Sequence, residues 1–135
     1  MKYLFDSSAI FRAIKERKIS LLAGNETLEL ARYELGNILW KNCLLQARIS
    51  MEEAQSLMTA IRHALNAMEI HQIASEEEEI LETAARYQIT FYDAAYAQLA
   101  HSRTLILVTE DQRLAGKIAP HIKTLSLDRI DSAET

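Results

Sequence analysis

The chain has 135 residues, 49% hydrophobic and 25% charged, with a formal net charge of −4. That apolar share excludes a disordered chain, and the length suits one domain over 1–135 rather than a two-domain enzyme. The lone Cys43 excludes a disulfide framework, a zinc ribbon and a redox cysteine pair.

No apolar run reaches the roughly 18 residues of a membrane span. The opening MKYLFD meets an acid too early for a signal peptide, so a cytoplasmic protein is expected. Residues 2–5 read as a short buried strand running into Asp6. Residues 9–18 form a helix with Ile10 and Ile14 on its apolar face. Gly24–Asn25 marks a turn, and 26–29 is a short strand or extended entry. A helical pattern runs from 30 to 47. Ser50 with Glu53 is a capping box that opens a helix to 66. Residues 69–73 alternate as a strand. Ser75 with Glu78 repeats the capping pattern and opens a helix to 87. An Ala-rich helix covers 90–101. TLILV at 104–108 is the clearest buried strand, followed by a helix at 111–118, ended by Pro120, and a strand at 123–127. Short apolar strands alternating with helices predict an α/β fold, three layers with a parallel sheet flanked by helices.

In such a sheet, ligands bind beyond the carboxyl ends of the strands. Asp6 follows the first strand directly, and Asp111 lies just past 104–108. Glu34 falls within the row Leu30, Glu34, Ile38 on the apolar side of its helix, where a charge must be paired or bound. Asp93 lies in the first turn of the Ala-rich helix, with Ala97 and Ala100 on its face. Each acid has a plain structural role open to it. Asp6 could cap the next helix, Asp93 could complete a capping box begun by Thr90, and Asp111 could sit in a helix first turn begun by Thr109. Glu34 has no such role, because a cap does not belong in mid-helix. Together the four are what a carboxylate-lined Mg²⁺ or Mn²⁺ site requires, since these ions take hard oxygen ligands.

Four segments carry a resemblance: DSSAI at 6–10, YELGNILWK at 33–41, FYDAAYAQLA at 91–100 and LVTEDQRLA at 107–115. They resemble the PIN-domain ribonucleases, and among these the small VapC-type toxins of toxin–antitoxin pairs. The resemblance implies a PIN-like fold in which Asp6, Glu34, Asp93 and Asp111 bind Mg²⁺ or Mn²⁺, and a metal-bound water attacks an RNA phosphate. It implies supporting roles for Ser8, Asn37 and Thr109, whose plain alternatives are a turn hydroxyl, a solvated amide and a helix N-cap. It also implies a homodimer and a cognate antitoxin whose tail blocks the site. The negative net charge departs from this pattern, and the basic residues Arg12, Lys15, Arg17 and Lys18 read first as a solvated face.

Other signals are weaker. The run Glu76–Glu79 suits a helix N-terminus. The four histidines are scattered without HExxH or cysteine companions, so a histidine-ligated metal is not expected. Trp40, Leu44, Tyr87, Phe91, Tyr92 and Tyr96 read as core or dimer contacts in preference to base-stacking platforms, and Cys43 as a small core residue. The competing functions are a catalytically silent PIN-like module binding RNA or protein, disfavoured by the intact acid set, and a receiver-type domain, which lacks its paired acids after the first strand and its late lysine.

Overall fold

The computed structural model describes residues 2–134 and side chains through residue 130, so residues 1 and 135 lie outside it. Five strands form one wholly parallel sheet in the order β3-β2-β1-β4-β5. They are β1 (Tyr3–Phe5), β2 (Glu26–Leu28), β3 (Glu69–His71), β4 (Ile106–Val108) and β5 (Thr124–Leu125). The helices are α1 (Ser7–Lys15), α2 (Leu30–Trp40), α3 (Met51–Asn66), α4 (Glu77–Tyr87), α5 (Phe91–Ser102), α6 (Gln112–Ile118) and α7 (Leu127–Glu134). Among the described residues, no helix is long and apolar enough to cross a membrane.

The two-residue period of a strand divides the core. Tyr3 and Phe5 point to one face of the sheet, where α1, α2, α3 and α7 bury Ile10, Leu35, Ile61 and Ile130. Leu4 points to the other, where α4, α5 and α6 bury Ile80, Tyr96, Leu99 and Ile118. Small residues let α5 lie close to the sheet: Ala94, Ala95, Ala97 and Ala100 are all buried. The alternation of strands and helices is thus realised as the expected α/β/α layers.

Local differences have local causes. The helix foreseen to 47 ends as α2 at Trp40 and widens into a π turn over Lys41–Leu45. There the Asn42 side-chain amide donates to the Ile38 carbonyl (3.0 Å), competing with the regular helical pattern. The Ser50–Glu53 capping box forms in both directions. The Ser75–Glu78 box does not: Ser75 takes φ 77°, and α4 starts without a side-chain cap. Its three first-turn glutamates face the positive end of the helix dipole instead. α1 starts at Ser7, two residues earlier than the pattern at 9–18. The strand read over 123–127 shrinks to β5, because Leu127 begins α7 and buries with Ile130 one turn on. Trp40 and Leu44 are exposed and Cys43 is half-buried, so this trio lines a surface cavity of about 190 Å³ instead of joining the core.

Candidate active site at the carboxyl rim of the sheet

Parallel pairing of β1 and β4 puts Phe5 opposite Val108, so the next residues on each strand, Asp6 and Thr109, emerge side by side. The Asp6 N–H donates to Val108 O (3.1 Å), which keeps the two strand ends in register. α2 brings Glu34 to this rim from one helical layer. α5 brings Asp93 and Tyr96 from the other, and Asp111 caps α6 just beyond β4.

The plain structural roles are met in part: Asp6 caps α1 as expected, Asp111 is itself the N-cap of α6 and not a first-turn acid behind Thr109, and Thr90 caps α5. Asp6 caps α1 by accepting from Ala9 N–H (3.0 Å). Asp111 caps α6 by accepting from Arg113 and Leu114 N–H, both at 3.0 Å. Thr90 accepts from Asp93 N–H (3.1 Å) at the start of α5. A cap normally lies at the surface, yet Asp6 is only 6% exposed. Burial, with repulsion from Glu34 as a lesser cause, pushes its carboxyl up to about 6. Hydrogen bonds from Ser8, Thr109 and Ala9 oppose that rise without cancelling it. Glu34 and Asp93 are also raised, chiefly by burial and then by repulsion, Glu34 from Asp93 and Asp93 from Asp111. The acids therefore form an electrostatic chain in which each carboxylate feels the next.

The surrounding hydroxyls order this rim. Ser8 Oγ donates to Asp6 Oδ1 (2.6 Å) and accepts from Glu110 N–H (3.0 Å). Thr109 Oγ1 lies 3.5 Å from Ser8 Oγ and accepts from Asp111 N–H (3.1 Å). Asn37 is exposed and shares a cavity wall with Glu34. Tyr96, read from sequence as a core or dimer contact, is buried but polar in its role. Its hydroxyl donates to Glu34 Oε1 (2.8 Å) across the rim between the two helical layers. Burial, and then the nearby carboxylates, raise its own pKa, so it remains a donor. Its spacing of three residues from Asp93, on one helix face, was the available signal.

Arg12 is no solvated cation. It binds Glu16 on its own helix, Glu110 and Asp128, while the other Glu110 oxygen accepts from Leu127 N–H (2.7 Å). This cluster fastens α7 to the loop that carries Asp111.

No three of the four rim acids bring ligand atoms within 4.8 Å of one another; among the described residues only Glu26, Glu69 and His71 do so. Glu26 and Glu69 open β2 and β3, and His71 closes β3. The trio is laced to Arg103 and Lys2, with Glu26 accepting from His71 at 2.6 Å and from Arg103 at 3.2 Å. Its charge is thus already compensated. The rim acids are all-oxygen and more widely set, which fits Mg²⁺ or Mn²⁺, since Mg²⁺ keeps several waters and seldom sits in an all-protein cage.

No protein-family model matches the chain. In fold it is similar to the crystal structure of PAE2754 from Pyrobaculum aerophilum (TM-score 0.81, 25% identity, 100% of this chain and 97% of that one). It also resembles VapBC2 from Rickettsia felis bound to a DNA fragment from its promoter (TM-score 0.66, 18% identity, 93% and 98%), a likeness of fold alone. In sequence it is 33% identical to Exonuclease VapC9 of Pyrobaculum aerophilum over 87% of this chain and 86% of that protein. It is 31% identical to Ribonuclease VapC3 of the same organism over 87% and 95%. With two relatives above 30% identity over most of both lengths, the chain belongs to the VapC family of PIN-domain nucleases.

Proposed function

We propose that the chain is a divalent-metal-dependent endoribonuclease acting as the toxin of a toxin–antitoxin pair, with Asp6, Glu34, Asp93 and Asp111 as its metal-holding acids. The observation that carries this reading is a buried carboxylate, Asp6, whose hydrogen-bond partners among the described residues are hydroxyls and a backbone N–H, joined by repulsion to Glu34 and onward to Asp93 and Asp111. A protein stabilises such a group poorly unless a cation arrives. A bound Mg²⁺ or Mn²⁺ would supply an activated water and stabilise charge on the phosphate oxygens. The chain's own part is to hold and orient. Tyr96 fixes one oxygen of Glu34, and the Ser7 hydroxyl also hydrogen-bonds that carboxylate. Ser8 and Thr109 steer Asp6, and the Glu110–Arg12 pair holds the loop before Asp111.

The relatives are named for exonuclease and for ribonuclease activity, and the solved VapBC structures are toxin–antitoxin complexes. These support RNA as substrate and an antitoxin as partner. The exposed apolar group Trp40, Leu44, Leu45 and Met51 supports protein contacts, including a homodimer in the cytoplasm. Circular RNA tests the proposal directly, because only an endonuclease opens it. Cleavage should require Mn²⁺ or Mg²⁺ and disappear in Asp93→Asn. Survival of cleavage in EDTA would refute the metal mechanism, and digestion of linear RNA alone would replace it with an exonuclease.

A further inference from the structure

The rim acids separate two unlike cavities. On one side Asp93 and Asp111 share a cavity of about 280 Å³ with Thr90, Arg113 and Lys117. On the other, Glu34 and Ser7 share a cavity of about 740 Å³ with Asn37, Tyr33 and Tyr92. Tyr33 is 73% exposed and Tyr92 59% exposed. Each immediately precedes a rim acid in sequence, Glu34 and Asp93 respectively, so the two helices that deliver the acids also deliver the rings.

We propose that Tyr33 and Tyr92 form a stacking site for unpaired RNA bases beside the acid cleft, an inference that rests on the ribonuclease reading. Three observations favour this occupant. The cavity is continuous with the acid rim, since Glu34 lines it. Its walls combine aromatic faces with the Asn37 amide, which suits a flat, edge-polar base. The phosphate backbone has few basic contacts to use: the chain is net negative, and Arg12, six residues beyond Asp6, is held by Glu16, Glu110 and Asp128. Affinity for RNA must then come largely from uncharged contacts, and base stacking on an aromatic ring is such a contact. Arg113 and Lys117 give the opposite cavity its basic character, so a strand crossing the rim would have phosphates on that side and bases on the tyrosine side. Duplex RNA buries its base faces and would be a poor ligand.

The test uses the full chain in Ca²⁺ with a single-stranded RNA decamer carrying central 2-aminopurines, and the same decamer with abasic residues there. Wild type, Tyr33→Phe and Tyr92→Phe should quench the fluorophore. Tyr33→Leu and Tyr92→Leu should lose the quenching and bind about tenfold more weakly, within the range for one base on one ring. The abasic decamer should bind all of them alike. Both side chains are largely exposed, so matching unfolding midpoints are expected and confirm intact folds. Failure of wild type to bind the decamer, Leu variants that still quench, or an equal loss on the abasic probe would overturn the stacking site. So would a halving of solution mass in the Leu variants, which would assign the rings to a second copy. Ring-dependent quenching without Mn²⁺-dependent cleavage would keep the stacking site and sink the nuclease. Cleavage unaffected by either Leu substitution would do the reverse.

Discussion

The two ends of the parallel sheet each bury a carboxylate, and they treat it oppositely. At the amino end, Glu26 is 1% exposed and meets Arg103, Lys2 and His71. At the carboxyl end, Asp6 is nearly as buried, but its partners are hydroxyls, one backbone N–H and other acids. Compensated charge builds structure. Uncompensated charge costs stability and is retained where something else is to bind. The contrast explains why the close-set group found among the described residues, Glu26–Glu69–His71, is the less suited to a cation: its neighbours already supply the positive charge.

Substitution should separate the two ends. The largest effect is expected at the carboxyl rim, where Asp93→Asn should lower metal-dependent cleavage by about 100-fold or more, beyond what loss of a supporting residue usually costs. RNA-cleavage kinetics in Mn²⁺ measure it, and near-normal kcat would remove Asp93 from the proposed ligand set. Stability should next show opposite signs at the two ends. An acid raised in the folded state destabilises it as pH climbs from the unfolded value near 4 through the folded value. For Asp6, raised from 3.8 to about 6, that cost is about 3 kcal/mol above pH 6. In EDTA at pH 7.5, Asp6→Asn should therefore stabilise the chain by up to that amount, with the gain fading toward pH 4. Glu26→Gln should instead destabilise by about 1–3 kcal/mol, because its cationic partners lose their acceptor. Denaturant titrations across pH decide the matter; matching signs would erase the distinction between the two ends.

A smaller effect isolates Tyr96. Tyr96→Phe keeps the buried ring but removes the donor to Glu34, so Mn²⁺ binding by calorimetry should weaken about tenfold, kcat should fall and KM should hold. Unchanged Mn²⁺ affinity would reduce Tyr96 to packing. The smallest effect is expected from Arg12→Ala, about 1 kcal/mol, appearing as faster amide exchange in α7 as its tie to Glu110 is lost.

Much of this was legible in the sequence because it depends on short-range rules. Hydrophobic periodicity showed the strand-helix alternation, and Ser50–Glu53 announced its capping box. Glu34 was conspicuous as a charge in an apolar helical row. Other features carried no local sign. Ser75 matches a capping pattern yet lies in a turn, since the same pattern serves any serine three residues before a glutamate. Glu26 sits in a three-residue strand, too short for alternation to show that its side chain is buried among cations from Lys2 and Arg103. Tyr33 and Tyr92 differ from Tyr96 in exposure, not in type, and exposure depends on which face of a helix finds a neighbour.

The sequence by itself determined most element types and the parallel α/β class, and it singled out Asp6, Glu34, Asp93 and Asp111 as candidates, because these follow from residue period and from charge placed against it. Only the tertiary structure decided which carboxylates would be compensated and which left bare, and which tyrosines would face water. Those outcomes depend on residues far apart in the chain meeting across strands and helical layers, such as Tyr96 with Glu34 or Arg103 with Glu26. The energy of a buried charge is set by those neighbours, not by the residues beside it in sequence.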